Sequence, residues 1–381
     1  MLRLHRWLET RAVAPAYGGW LLGGLSLFFF AAATNTLAGW LYVISGIMLA
    51  ILAIAIVLPA RSLRHIQLHR LAIEPVSVAE EFAIELVLAN PTPVPKLLLQ
   101  VRDGLPPQLA ASPRTAIEAI SPQGNYRWRY ELPAARRGIY RWETVELRTA
   151  APLGLFWARR SLSAPAKLVV YPTVLPLAQC PLLDLTGRDT AKQLQGSINA
   201  QAAHEGVTRT LRPYRWGDPT RLVHWRSSAR YGELRVRELE VFTSTQAIAI
   251  ALDLTASWRP EDFEQAVIAA ASLYFYAVRQ QRPVTLWTGA MGSISGQSAV
   301  LEALAAVTLT TATSARLPDL PLLWLSADRA SLDRLPPGSC WLLWGGLGES
   351  KAASEPMAID TRFPGQTIDS IEPLQLQLQR G

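Results

Sequence analysis

Two uncharged runs stand almost back to back near the start of the chain, Tyr17 to Ala33 and Leu37 to Leu58, separated only by Thr34-Asn35-Thr36. Nothing else in the sequence limits the fold as strongly. Each run is near the roughly 20 residues that an α-helix needs to cross a hydrocarbon core, and uncharged stretches of that length are rare inside soluble folds. A cleaved signal peptide would show one such run and a small-residue cleavage site, so the pair reads as a helical hairpin over residues 1–60. Gly18, Gly19, Gly23, Gly24, Gly39 and Gly46 are expected to let the two helices approach closely in lipid. Arg3, Arg6 and Arg11 precede the hairpin, Arg61, Arg64 and Arg70 follow it, and its turn carries no charge. The positive-inside rule then places both termini in the cytoplasm, as in a multi-pass protein of the plasma (inner) membrane.

That flanking bias also accounts for part of the net charge of +7, so a nucleic-acid partner is not expected from charge alone. The two cysteines, Cys180 and Cys340, lie far apart with no second thiol or histidine at ligand spacing. They argue against a disulfide scaffold or a structural zinc site and fit a reducing compartment.

Behind the hairpin the hydrophobic period changes to two. Ala83 to Leu88, Leu97 to Val101, Tyr126 to Leu132 and Tyr140 to Leu147 read as strands, punctuated by Asn90-Pro91-Thr92-Pro93 and Asp103-Gly104-Leu105-Pro106-Pro107. Short strands between Pro and Gly clusters predict an antiparallel, Ig-like β-sandwich over residues 61–177, with Trp128, Trp142 and Trp157 in its core or on a sheet face. Beyond a connector with one short helix expected around Ala191 to Gln195, the pattern becomes α/β. Gln246 to Leu252 is a buried-type strand ending at Asp253, and Glu261 to Gln281 is an amphipathic helix. Pro283 to Thr288, Leu322 to Ser326 and Cys340 to Trp344 are further strands, with a helix over Ala299 to Val307. Apolar strands alternating with helices imply a parallel, Rossmann-like sheet over residues 246–381, with ligands at the carboxyl ends of its strands.

Between these modules, within a connector spanning 178–245, Glu205 to Glu240 concentrates eight arginines with Asp218, His224, Trp216 and Trp225. Asp218-Pro219 predicts a helix start and Gly232 a stop, with Leu222, Trp225 and Ala229 forming its apolar side and His224 and Ser228 sharing another. Acidic residues interleaved with the arginines favour a structural network over a nucleic-acid surface. Arg221 and Trp225 are spaced for a cation–π pair, and Arg230 for contact with Asp218 or a nearby glutamate. The exposed part remains available as a docking surface.

Arg212, Tyr214, Gly217, Asp218, Arg221, Trp225, Ser228, Ala229 and Arg230 form the pattern R-x-Y-x-x-G-D-x-x-R-x-x-x-W-x-x-S-A-R, which resembles the signature of the bacterial domain-of-unknown-function family number 58. Arg137-Gly138-Ile139-Tyr140 and Pro152-Leu153-Gly154-Leu155-Phe156 are also similar to segments of that family's β module. The resemblance implies paired membrane helices, a β-rich module and a domain like von Willebrand factor type A. It further implies a non-enzymatic adaptor or scaffold, working with a MoxR-type AAA+ ATPase and other membrane proteins in envelope or complex assembly.

Asp253, Thr255 and Ser257, at the end of the first α/β strand, resemble the D-x-S-x-S motif of the metal-ion-dependent adhesion site, with Thr255 replacing the middle serine. A carboxylate and two hydroxyls at alternating positions are hard ligands suited to Mg²⁺ or Mn²⁺, with Asp328 the best later acid; the same residues can equally serve as loop and helix caps. Asp218, His224 and Ser228 supply the parts of a hydrolase, yet all three fall on one short predicted helix without a nucleophile elbow. Two alternatives to the adaptor stay open: metal-assisted hydrolysis with Asp253 and His224, and a passive module held to anionic membranes by its basic flanks.

Overall fold

The computed structural model describes residues 13–186, 208–216, 218, 220–239, 247–309, 315–345, 363–369 and 371–380. They fall into two compact units, Met1–Tyr171 and Pro172–Gly381. The basic residues Arg3, Arg6 and Arg11 and the short helix expected around Ala191 lie outside the described residues, as do Gly217 and Pro219.

In the first unit, β1 (Ala14–Pro15) leads directly into α1 (Tyr17–Thr36) and α2 (Gly39–Ser62). Both helices are long and apolar enough to cross a membrane. The polar break does not end α1. Thr34 and Thr36 donate their hydroxyls to the carbonyls of Ala31 and Ala32, and the chain reverses only at Leu37, in the left-handed region with φ 54°. The expectation for the glycines needs correction. A Cβ on Gly23 would just reach Leu52, and Gly24, Gly39 and Gly46 face open space. The helices are joined instead by Ser26 and Ser45, both fully buried: Ser26 Oγ donates to the Ser45 carbonyl at 3.2 Å and Ser45 Oγ to the Ser26 carbonyl at 3.0 Å. A reciprocal pair of this kind satisfies two hydroxyls away from water and holds the helices in register. Gly19 serves another contact, since a Cβ there would fall 2.3 Å from the Leu155 carbonyl oxygen.

The β module that follows has two sheets. Strands β2 (Gln67–Arg70), β4 (Glu81–Ala89) and β7 (Asn125–Pro133) form one, in the order β2-β4-β7. The other runs β1-β9-β8-β5-β6, from β5 (Lys96–Asp103), β6 (Arg114–Ile120), β8 (Gly138–Thr149) and β9 (Phe156–Tyr171), with β3 (Val76–Ser77) also paired to β9. Alternation in β4 buries Phe82, Ile84, Leu86 and Leu88, and Leu86, Leu88 and Trp128 share a core with Leu99, Val101, Val145 and Leu147. Trp142 is buried too, whereas Trp157 is half-buried with the Arg148 guanidinium 4.2 Å from its ring centre. The long β9 contains Pro165, which a central strand does not tolerate. Here Ala164 and Pro165 of β9 stand opposite the single Glu143 of β8, between the pairs Trp142–Ala166 and Thr144–Ser163, and this bulge in β9 accommodates the proline.

Arg70 does not flank the hairpin as a free charge. Its side chain and that of Asp103 are 2% and 0% exposed, joined at 2.5 and 2.9 Å. Asp103 also accepts from the Tyr130 hydroxyl at 2.6 Å and the Trp142 indole at 3.2 Å. Burial first, and then the hydrogen bond to Asp103, push the Tyr130 hydroxyl far above its ordinary range and keep it a donor.

The second unit carries a sheet in the order β14-β13-β12-β15-β16-β17. Its strands are β12 (Ile248–Leu252), β13 (Val284–Thr288), β14 (Gly292–Ile294), β15 (Leu322–Ser326), β16 (Cys340–Trp344) and β17 (Gly365–Ile368). All pairings are parallel except β13 with β14. The amphipathic helix forms over Pro260–Arg279, with Pro260 at its first turn beside Glu261 and Asp262, where proline costs little and acids oppose the dipole. It buries Phe263, Ala266, Val267, Ala270, Leu273 and Ala277 against Ile248, Ile250 and Leu252. The opposite face of β12 offers only Ala249 and Ala251, and there Trp287, Trp324, Leu332 and Leu335 fill the space.

Candidate functional site

Strands β13 and β15 lie on either side of β12, so the chain order reverses at β12 and a crevice opens at the carboxyl ends of the strands. Asp253 stands at that point, its N–H bonded to the Leu325 carbonyl at 3.0 Å. Its side chain is buried, with the residue 6% exposed. Oδ1 accepts from the Thr255 N–H at 2.9 Å and the Thr255 hydroxyl at 2.7 Å, and Oδ2 accepts from the Ser326 hydroxyl at 2.7 Å. An ionised carboxylate offers about four acceptor positions, so three bonds leave room for about one further partner. Asp253, Thr255, Trp287, Trp324, Asp328 and Arg334 line a cleft of about 320 Å³ here. Ser257 is exposed on the loop beyond and does not contribute to that wall.

Asp328 reaches the cleft as the cap of a 3₁₀ turn, Arg329–Arg334, its carboxylate accepting from the Ala330 N–H at 3.0 Å. Its own N–H donates to Ser326 Oγ at 2.9 Å. Ser326 thus couples the two acidic residues, a role that residue type alone does not signal; the parallel register does, because Leu252 pairs with Leu325 and the next residues are Asp253 and Ser326. The cleft chemistry is a pair of acids with hydroxyls, an arginine at the rim and two indole faces. Among the described residues no group of three His, Cys, Asp or Glu side chains converges.

The arginine-rich segment is built differently from its sequence signals. Strands β10 (Thr208–Pro213) and β11 (Arg235–Leu239) pair antiparallel. Between them come a 3₁₀ turn (Thr220–Leu222) and a helix confined to Trp225–Tyr231. Asp218 is not its cap. Both Asp218 oxygens accept from the Arg212 guanidinium, at 2.7 and 2.8 Å, and Oδ2 also takes the Arg215 N–H at 2.8 Å. The Arg212 hydrogen bonds, followed by that from Arg215, lower the Asp218 carboxyl to about 2. A bidentate charge-assisted pair of this sort outcompetes a capping bond. His224 caps the helix instead, Nδ1 accepting from the Ser227 N–H at 3.2 Å, and Gly232 closes it in the left-handed region at φ 72°.

Ser228, the buried residue of this helix, donates its hydroxyl to the His224 carbonyl at 3.2 Å and accepts from the Arg235 N–H at 2.9 Å. The three parts of a hydrolase therefore have structural partners: Asp218 with Arg212, the His224 ring with a backbone amide, Ser228 with backbone at both ends. Tyr214 donates its N–H to the Leu234 carbonyl at 2.8 Å, locking the loop onto β11. The side chain of Arg221 lies outside what the structure describes; among the described residues Arg235 makes a cation–π contact over Tyr231 at 4.1 Å. Trp225 and Ala229 do not form a buried face. Trp225 is 67% exposed, Trp216 is wholly exposed, and Ala229, Arg226 and Arg230 are exposed as well.

Comparison with known proteins adds a family. Residues 210–312 match the model of the family described as protein of unknown function DUF58. The uncharacterized protein YeaD of Bacillus subtilis (strain 168) is 25% identical over 199 residues, covering 51% of this chain and 48% of that protein. The chain thus spans about half the length of this curated relative. Among solved structures, red sea bream transglutaminase is similar over 28% of this chain and 15% of its own, at 16% identity and a TM-score of 0.20. A CARDB domain of the PF1109 protein from Pyrococcus furiosus is similar over 26% of this chain and 86% of its own, at 11% identity and a TM-score of 0.19. Scores this low carry no argument about the fold.

Proposed function

We propose that this chain, whose residues 210–312 match the DUF58 family, is a multi-pass adaptor of the plasma membrane. Both its termini are cytoplasmic, and it presents an Ig-like sandwich and a von Willebrand factor type A-like domain to a partner. The flanking charge pattern of the hairpin supports the orientation. Numbered within its own sheet, the α/β strand order is 3-2-1-4-5-6 with an antiparallel edge strand, which supports the doubly wound assignment. The observation that carries the adaptor role is the exposed surface of the signature segment. Trp216, Trp225 and Tyr231 stand in solvent beside Arg226 and Arg230, and Trp, Tyr and Arg are the residue types that dominate protein–protein hot spots. The expected partner is a MoxR-type AAA+ ATPase engaged in envelope or complex assembly.

The cleft supplies the second element. Asp253, Thr255 and Asp328 offer hard oxygen donors of the kind that Mg²⁺ or Mn²⁺ takes, with water completing the shell, and Ser257 joins them if its loop closes inward. Bound there, the ion would supply an open position for a partner carboxylate. Metal-assisted hydrolysis gains nothing from His224, whose Nδ1 is committed to the helix cap.

The test is a crosslinked affinity purification from native membranes. It is run with Mg²⁺, with chelator, with the isosteric Asp253→Asn, and with the paired variant Trp216→Ala and Trp225→Ala. Loss of an ATPase from the tryptophan variant supports the adaptor, and its loss with chelator and Asp253→Asn supports a cation-dependent contact. Identical captured proteins under all four conditions would overturn both.

A further inference from the structure

One end of the β module continues the apolar surface of the hairpin. Strand β1 pairs with the start of β9, Pro15 opposite Phe156, and the Ala16 N–H donates to the Leu155 carbonyl at 2.8 Å. Leu155 also abuts Gly19, within the first turn of α1. The loop joining β8 to β9 is therefore level with Tyr17 and Trp20, exposed aromatic residues of the type that sits at membrane–water boundaries.

That same end exposes leucines. Leu153, on the loop, is 46% exposed and Leu98 61% exposed, with Leu97 and Val94 exposed beside it. Alternation in β5 breaks here, because Leu97 and Leu98 both face outward. Leu98 also adopts φ 50°, a conformation that a bulky residue rarely takes. Thr149, at the end of β8, donates its hydroxyl to the Leu98 carbonyl at 2.9 Å and fixes this arrangement. A groove of about 420 Å³ runs between Leu98 and Leu153 past Trp157. Basic side chains stand at the same level, Arg64 and His65 being exposed immediately after α2, and Arg160 tying the end of that helix to β9 through the Leu63 carbonyl at 2.9 Å.

We infer that this end of the β module is embedded in the surface of an anionic bilayer. Leu98 and Leu153 enter the boundary between headgroups and acyl chains, and Arg64 and His65 meet the headgroups. The module stands on the membrane and does not hang from it. Continuity with the hairpin identifies the occupant, since the helix that crosses the bilayer begins against the very loop that carries Leu153, and an apolar face with a cationic border suits the interface. The inference rests on the hairpin being transmembrane.

Full-length protein carrying Leu98→Cys, Leu153→Cys, Ile47→Cys or Ala135→Cys is labelled with an environment-sensitive fluorophore. It is then reconstituted into phosphatidylcholine–phosphatidylglycerol vesicles with or without lipid brominated high on the acyl chain. The native Cys180 and Cys340 are buried, and unsubstituted protein is the labelling blank. Ile47 lies in mid-hairpin, while Ala135 precedes β8 and so stands roughly 35 Å from Thr149 along that strand. Blue-shifted emission quenched by brominated lipid at positions 98, 153 and 47, with none at 135, is the expected result. Quenching at 47 without quenching at 98 and 153 would overturn the inference alone. Absence of quenching at 47 would overturn the transmembrane hairpin and the inference with it.

Discussion

Removing Arg70 tests whether the β module depends on a buried ion pair. Arg70 and Asp103 are almost entirely shielded from water, and Asp103 is satisfied by two bonds from Arg70, one from Tyr130 and one from Trp142. Arg70→Met keeps the length and much of the apolar stem but leaves a buried carboxylate with only two neutral donors. Breaking a buried pair from one side costs about 3–5 kcal/mol, which lowers the melting temperature of a module this size by about 10 °C or more. Adding Asp103→Asn removes the stranded charge: its amide oxygen, in the place of Oδ1, accepts from the Trp142 indole, and its NH₂, in the place of Oδ2, donates to the Tyr130 hydroxyl oxygen, which returns about 1–3 kcal/mol. Intrinsic fluorescence of the detergent-solubilised protein follows the loss, with Trp128 and Trp142 both buried in the module. Limited proteolysis assigns the early transition to the β module. If Arg70→Met melts within about 2 °C of the parent, or if the double variant is no better than the single, the partner accounting is wrong.

Gly19→Ala should destabilise the junction of α1 with the β8–β9 loop by about 1–3 kcal/mol, because its Cβ would meet the Leu155 carbonyl, whereas Gly24→Ala, in open space, should be neutral or slightly stabilising; equal melting shifts would contradict the contact. Asp218, lowered from 3.8 to about 2, stabilises the β10–β11 segment above the unfolded carboxyl value, and that contribution fades as pH falls through the folded one. A carboxyl NMR titration should place its midpoint near 2, and Arg212→Gln should raise it; a midpoint near 3.8 in the parent protein would dissolve the pair. Burial pushes the Cys180 thiol up to about 11, so neither it nor the buried Cys340 should react with a thiol reagent at pH 8 until denaturant is added. Rapid modification of native protein would show that the core opens.

Burial demands are the most legible part of the sequence. Lipid leaves helices little choice, and the hairpin followed from two uncharged runs. In the α/β unit the strands Leu322–Ser326 and Cys340–Trp344 have the bounds that the sequence predicts, because fully buried parallel strands are continuous apolar runs. Pro165 and mixed polarity hide strand β9 from the sequence pattern, and brevity hides β17. Asp218-Pro219 predicts a helix start that the structure does not show, because Arg212 gives Asp218 two charge-assisted bonds and the helix begins at His224 instead. Asp253 and Asp328 are both candidates by residue type and position, and both line the cleft; Ser326, which links them, shows in the sequence only as the end of a strand.

What the sequence determined by itself is where side chains must leave water: the period of the pattern gives helix or strand, and the length of an uncharged run gives a membrane-spanning candidate. What only the tertiary structure decided is which polar groups meet. Arg70 in one strand and Asp103 in another, Asp253 and Ser326 at adjacent strand ends, and Ser26 facing Ser45 are pairings between distant positions. The exposure of Trp216 and Trp225 belongs to the same class. Hydrophobic burial is non-directional and sums along the chain, so a one-dimensional pattern carries it. Hydrogen bonds and ion pairs require particular distances and angles between particular atoms, and only the folded chain supplies those.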